Sequence, residues 1–249
     1  MKTKGNTILI TGGATGIGFA LVDALLEAGN EVIICGRRQG KLDGAKRRLS
    51  KVNAIRCDIS DAKERSALFD WTTRNFPNLN ILVNNAGIQR PIDFRKGTKS
   101  LLAREDEIET NLRAPVYLSA LFIPHLMKQK EAAIVNISSG LAFIPLAAVP
   151  VYCATKAAIH SFSLSLRHQL RETSIKVFEI IPPIVDTELH KGARERRGQQ
   201  DRGLKPEEIA LATLRALEAD DYELAVGRAE SLRMGARSDP ERLFQMMND

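Results

Sequence analysis

The sequence predicts an α/β protein: a single doubly wound parallel sheet of about seven strands with helices on both faces. Three observations carry this expectation. Short apolar runs rich in Ile and Val alternate with amphipathic stretches throughout the 249 residues. Those runs lack the polar alternation of a half-wet sheet, so they read as strands buried on both sides. A repeated strand–helix order needs crossovers, and right-handed crossovers place helices above and below the sheet.

The strands are expected, in order, at 7–11, 31–35, 53–57, 80–84, 132–138, 176–181 and 222–226. Helices are expected between them at about 17–28, 39–50, 61–75, 100–128, 152–172 and 206–218. The first helix opens out of a glycine-rich turn. The helix over 152–172 has two usable faces. Ala158, Ile159, Phe162 and Leu166 form a core stripe, and Ala154, Ala157, Ser161 and Ser165 form a stripe of small residues. The stretch 187–203 departs from the pattern, being polar, charged and glycine-containing. It reads as a substrate lid or as an ordinary surface loop. With no linker, low-complexity tract or internal repeat, residues 1–249 are expected to form one domain.

Composition narrows the function. Apolar residues make up 44% and charged residues 27%, which excludes disordered, collagenous and coiled-coil classes. No apolar run approaches the roughly 20 residues of a membrane span. The run Ile8-Leu9-Ile10 is too short for a signal-peptide core, so a cytoplasmic location is expected. Cys35, Cys57 and Cys153 are widely spaced and read as small buried apolar residues. His125, His160, His168 and His190 make no metal-ligand spacing, so no metal is expected.

The net charge of +6 is localised. Residues 37–51 contain Arg37, Arg38, Lys41, Lys46, Arg47, Arg48 and Lys51 against Asp43 alone, so this one segment holds all of the excess. A nucleic-acid binder would spread it over a broad face and carry a recognisable module, and this chain does neither. The cluster reads as a site for a small anion or as a solvated helix face.

The turn Thr11-Gly12-Gly13-Ala14-Thr15-Gly16-Ile17-Gly18 joins the first strand to the first helix. Glycines there allow a tight turn and close backbone approach to a pyrophosphate, and the helix N-terminus offers free N–H groups. Tyr152 and Lys156 stand i, i+4 on a helix, on one face. A free phenol titrates near ~10, too high for an acid and base at neutral pH. An ammonium at ~5 Å and an effective dielectric of ~20 contributes about 3 kcal/mol, roughly two pKa units downward. Ser138 and Ser139 end the fifth strand, where ligands of open α/β sheets bind.

The spacing Gly12-x-x-x-Gly16-x-Gly18, with Asn84-Asn85-Ala86-Gly87 and Tyr152-x-x-x-Lys156 in that order, resembles the short-chain dehydrogenase/reductase superfamily over nearly the whole chain. Around Gly87-Ile88-Gln89 and Ser139 to Phe143 it looks like the oxidoreductases encoded with cell-wall D-alanylation genes. The resemblance implies a Rossmann-type fold and an oxidoreductase moving a hydride between a nicotinamide cofactor and a carbonyl/alcohol substrate.

In that pattern Asn111, Ser139, Tyr152 and Lys156 are the catalytic residues. Ser139 is chosen because it precedes the tyrosine by 13 positions, leaving Ser138 to cap backbone. Asn111 would bend a helix and hold a water beside Lys156. Gly12, Ala14, Thr15, Gly16, Ile17 and Gly18 would hold the pyrophosphate. Asp58 and Ile59 would meet the adenine, although Asp58 also reads as a helix cap. Asn85, Ala86 and Gly87 would wall the adenosine ribose, or simply form a turn. Pro182, Ile184 and Thr187, with Tyr152 and Lys156, would hold the nicotinamide end. Pro183 stands where the family usually has glycine.

The second strand ends Cys35-Gly36-Arg37-Arg38, with no acid to engage a ribose 2′-hydroxyl. Arg37 can fork onto a 2′-phosphate and Arg38 can stack over adenine. NADP(H) is therefore expected in preference to NAD(H). Gln89, Leu141, Phe143, Val149, Pro183 and Leu189 are expected to line a mostly apolar pocket for a small-molecule substrate. The resemblance, in which the helix equivalent to 152–172 pairs across a two-fold axis, implies a homodimer or homotetramer, although the small-residue stripe also reads as packing on this chain's own next helix; neither nucleic acid nor membrane is expected as partner. The alternative is a catalytically silent NADP(H)-binding sensor or scaffold, which need not keep the four catalytic residues together.

Overall fold

In the computed structural model, residues 1–102, 106–190 and 203–249 are described. The elements run β1 (Thr7–Thr11), α1 (Gly16–Glu27), β2 (Glu31–Gly36), α2 (Gln39–Arg48), β3 (Asn53–Arg56), α3 (Ala62–Asn75) and β4 (Leu79–Asn84). They continue α4 (Lys99–Leu102), α5 (Ala114–Leu126), β5 (Ala132–Ile137), α6 (Pro150–Gln169) and β6 (Ile175–Ile181). The chain ends α7 (Pro206–Ala219), β7 (Glu223–Ala225), α8 (Arg228–Ser238) and α9 (Pro240–Asn248).

The seven strands form one parallel sheet in the order β3-β2-β1-β4-β5-β6-β7. Propagation reverses between β1 and β4, which opens a crevice beyond their carboxyl ends. Alternation along each strand divides the core in two. Ile8, Ile10, Val32, Ile34, Val135 and Phe178 face α1, α2 and α7. Leu9, Ile33, Leu82, Ile134 and Val177 face α3, α5 and the end of α6. Both faces are therefore dry, which is why the strands read as unbroken apolar runs.

Amides lock the strand ends. Asn30 Oδ1 accepts from the Asn6 backbone and side-chain N–H groups, both at 3.0 Å. Asn80 donates to Asn6 Oδ1 at 2.9 Å and accepts from Thr7 N at 3.0 Å. At the other end Asn84 donates to Asn136 at 2.9 Å, and Asn136 donates to Ser163 at 2.9 Å.

Two expectations about helices are corrected. The single helix over 100–128 does not form. α4 ends at Leu102, residues 103–105 lie outside the described set, and a π turn at Glu109–Arg113 leads into α5. The wider turn buries Thr110 and Asn111, and Asn111 anchors it by bonding across to Ile88. The helices α8 and α9 were not expected. α8 buries only Ala229 and α9 buries nothing, so neither carries a core stripe that periodicity could reveal.

Of the expected lid, residues 191–202 lie outside the described set. The chain either side of it is tied together: Val185 pairs with Leu204, and Asp186 N donates to Leu204 O at 2.9 Å. Among the described residues, no helix is long and apolar enough to cross a membrane.

Candidate active site

The crevice at the β1/β4 reversal is built from two interlocked turns. Thr11 Oγ1 accepts from Asn85 N at 3.0 Å and Ala86 N at 3.1 Å, and Asn85 Nδ2 donates to Thr11 O at 2.8 Å. Gly12 has φ +66°, and a Cβ there would lie 2.9 Å from Ala86 Cα. A Cβ on Gly18 would lie 2.4 Å from the Gly12 carbonyl. Ala14 and Ile17 are partly buried against the core below. Thr15 precedes α1 without a side-chain cap, and the first turn has no acid, so its N–H groups remain available to an anion. Thr187 lies over the turn, its Cγ2 3.0 Å from where a Cβ of Gly16 would be.

Next to this turn lies a cleft of about 420 Å³ whose walls include Thr15, Gly16, Phe19, Lys41, Arg48, Thr187 and Glu188. Arg37 is half-buried at its edge of the sheet and Arg38 is exposed. Arg38 pairs with Glu188 at 3.1 Å and reaches Thr15 Oγ1 at 3.4 Å. Lys41 pairs with the other oxygen of Glu188, and the two cations hold the Glu188 carboxyl below the usual carboxylate range. Asp58 folds its carboxylate onto Ser60 N and Oγ at 3.0 and 2.7 Å. It does not cap the next helix; Asp61 does, accepting from Lys63 N and Glu64 N. Ile59 is buried and its carbonyl accepts from Arg65 at 2.6 Å.

Asn111, Ser139, Tyr152 and Lys156 come from the π turn, the end of β5 and the first turns of α6, and all four are buried. Asn111 Oδ1 accepts from Ile88 N at 2.8 Å, and Nδ2 donates to Ile88 O at 2.8 Å and Thr155 Oγ1 at 3.3 Å. Thr155 donates to Tyr152 O at 2.7 Å. Lys156 Nζ donates to Ile137 O at 2.8 Å and lies 5.6 Å from the Tyr152 ring centre. A Cβ on Gly87 would lie 3.5 Å from Asn111 Oδ1 and 3.7 Å from Lys156 Nζ, so these two polar groups flank one backbone point.

Ser139 Oγ accepts from Leu141 N at 3.1 Å, and its hydroxyl favours the ionised form of the Tyr152 phenol. The capping role expected of Ser138 thus falls to Ser139. Ser138 is buried, and its hydroxyl has no partner among the described residues.

The phenol also departs from expectation. Burial pushes Tyr152 well above its ordinary value, Cys153 and Glu107 act the same way, and the Ser139 hydroxyl opposes them. Loss of hydration around the phenolate is the largest cause. The Lys156 ammonium is itself drawn down to about 8 by burial.

The expected substrate pocket is only partly recognisable. A groove of about 990 Å³ is lined by Leu141 together with Pro91 to Lys96, Pro145 to Ala148, Cys153, Ala154, Ala157 and Phe244. Gln89, Phe143, Val149, Pro183 and Leu189 are not among the residues lining it. Val149 packs on Tyr152 and Cys153 instead, and Phe143 meets the His160 ring edge-on at 4.7 Å. Ile184 is exposed, and Pro182 O accepts from Gly140 N at 3.0 Å. Cys35, Cys57 and Cys153 are free and buried, as expected.

One charged group that the sequence analysis did not single out lies deep in β6. Glu179 is fully buried and accepts from His160 Nδ1 at 2.8 Å. A charged residue inside the apolar run KVFEII was the available signal.

A family profile described as short chain dehydrogenase matches residues 6–198. The chain is 55% identical over 248 residues to the uncharacterized oxidoreductase DltE of Bacillus subtilis (strain 168), covering 100% of this chain and 98% of that protein. It is similar to the crystal structure of a short chain dehydrogenase from Burkholderia cenocepacia J2315 in complex with NADP (TM-score 0.85, 25% identity, 99% of each chain). A short chain dehydrogenase/reductase from Burkholderia phymatum in complex with NAD shares the fold at TM-score 0.84 and 19% identity, over 100% of this chain and 97% of that one.

Proposed function

The chain belongs to the short chain dehydrogenases, and on that footing we propose that it is an oxidoreductase moving a hydride between NADP(H) and a carbonyl/alcohol substrate, with Tyr152 as acid and base. One observation carries the reading: four buried polar side chains, Asn111, Ser139, Tyr152 and Lys156, converge beside the glycine-rich turn. The turn fits a dinucleotide because α1 begins uncapped and free of acids, at the sheet's topological reversal. Bound there, the nicotinamide would supply or accept the hydride.

The chain's own residues supply the rest. A phenol held above its ordinary value is protonated at neutral pH, the state that carbonyl reduction needs at the oxygen. Ser139 has its lone pair engaged by Leu141 N, which leaves its O–H to donate to the phenol or to a substrate oxygen. Lys156 commits one N–H to Ile137 O and keeps two for ribose hydroxyls. Asn111 spends both N–H groups on Ile88 and Thr155, so its remaining Oδ1 lone pair is the part that can hold a water against Lys156. Gly12, Ala14, Thr15, Gly16, Ile17 and Gly18 would hold the pyrophosphate. Asp58, Ile59, Asn85, Ala86 and Gly87 would hold the adenosine. Pro182, Ile184 and Thr187 would hold the carboxamide.

NADP(H) is favoured because β2 ends in Gly36-Arg37-Arg38 with no acid, and Lys41 and Arg48 stand nearby. The test is Tyr152→Phe, assayed against a carbonyl panel by NADPH absorbance. Turnover is expected to vanish with NADPH affinity nearly unchanged. Retained turnover would refute the assignment.

A further inference from the structure

The basic stretch after β2 draws in an acid from far along the chain. Arg38 leads into α2, and Lys41 stands in its first turn. α2 begins without a side-chain cap and with no acidic residue in that turn, so its positive end has no counter-charge close by in sequence. Glu188 supplies one from the segment after β6, 150 positions from Arg38 and 147 from Lys41. Arg38 Nη1 donates to Glu188 Oε2 at 3.1 Å, and Lys41 Nζ donates to Oε1. Arg38 Nη2 also reaches Thr15 Oγ1 at 3.4 Å. One carboxylate is thus clasped by two cations, each oxygen by a different one.

The clasp lies across the place proposed for the cofactor. Lys41 and Glu188 stand with Thr15, Gly16 and Thr187 in the walls of the cleft beside the glycine-rich turn. Thr187, the residue before Glu188, is also the one that lies over Gly16. Arg38 follows Arg37, which is expected to meet a 2′-phosphate. A small anion therefore already sits at this edge of the cleft, and it is the chain's own. It is replaceable. Arg38, Lys41 and Glu188 keep side-chain exposures of 54%, 44% and 44%, and ion pairs so open to water hold weakly. A phosphomonoester brings up to about twice the charge of a carboxylate, and three acceptor oxygens instead of two.

We infer that Glu188 is a specificity-determining residue: its carboxylate holds the place of a 2′-phosphate on Arg38 and Lys41, and NADP(H) must displace it where NAD(H) has no group to do so. The inference rests on the cofactor reading proposed above and names the residue that competes for the same cations. A 2′-phosphorylated nucleotide first releases Glu188, so its affinity is lower than the cations alone would give. A nucleotide without that phosphate leaves the clasp in place and meets no such cost. Glu188 therefore tempers the preference for NADP(H).

The experiment is calorimetric titration of the full-length protein at low ionic strength. The probe is 2′,5′-ADP, and 5′-AMP serves as the nucleotide lacking the 2′-phosphate. Glu188→Gln keeps size and removes the charge. It is expected to bind 2′,5′-ADP about threefold or more tighter than wild type, with 5′-AMP unchanged. In an Arg38→Gln/Lys41→Gln background the same substitution is expected to add nothing. If Glu188→Gln leaves 2′,5′-ADP unchanged while wild type prefers it to 5′-AMP, this inference is overturned and the cofactor reading stands. Weaker binding overturns it as well, since Glu188 would then clamp the bound nucleotide. So does a gain that is equal for both nucleotides or that survives without Arg38 and Lys41, since net charge alone would explain it. If neither wild type nor Glu188→Gln prefers 2′,5′-ADP to 5′-AMP, the NADP(H) reading fails and this inference with it.

Discussion

Arg37 and Arg38 follow β2 where a ribose-binding acid would stand, but they are not equivalent. Arg38 and Lys41 pair with Glu188, and the half-buried Arg37 is the guanidinium expected to meet a 2′-phosphate. A charge-assisted bond from Arg37 to a 2′-phosphate is worth ~1.5–3 kcal/mol. Arg37→Ala is therefore expected to weaken NADPH roughly tenfold or more and NADH little, as read by fluorescence titration. Equal affinities before and after would remove both the cofactor preference and the explanation of the basic segment. At this scale the sequence is informative wherever residues lie close along the chain: Tyr152 and Lys156 are one helical turn apart. It is silent where strands and helices meet, as Glu179 and His160 do. The direction of the Tyr152 shift was not legible either, because it is set by burial, which only the assembled fold determines.

Among the elements, the turn between β1 and α1 has little room for added side chains. A methyl on Gly18 would lie 2.4 Å from the Gly12 carbonyl and 2.5 Å from Asn85 Nδ2. Gly18→Ala must push the two interlocked turns apart, at a cost of about 1–3 kcal/mol. A lower melting temperature and weaker NADPH binding are expected together; a variant unchanged in both would show that the two turns are not rigidly joined. The core strands were readable because they are dry on both faces. Only their ends shifted, as with β5, which stops at Ile137. The helix over 100–128 misled because its apolar spacing gives no sign of the extra residue in the π turn. That residue is accommodated through Asn111, whose partner Ile88 is 23 positions away.

For the whole molecule, α6 exposes Ala154, Ala157, Ser161 and Ser165. These small residues are not covered by other parts of the same chain, so a second copy could approach closely along them. Ala157→Arg is expected to convert a dimer or tetramer into smaller species in analytical ultracentrifugation. A wild-type protein that sediments as a monomer would exclude the assembly.

The amides at the strand ends have a consequence for how the chain finds its shape. Because both sheet faces are greasy, sliding a central strand by one position merely exchanges Ile8 for Leu9, and oil contacts oil either way. Hydrophobicity alone cannot detect the mistake. Asn6, Asn30 and Asn80 at one margin, and Asn84 with Asn136 at the other, can: each misplaced amide would be stranded without a mate in a dry place. A few short polar side chains thus act as the molecule's proofreaders.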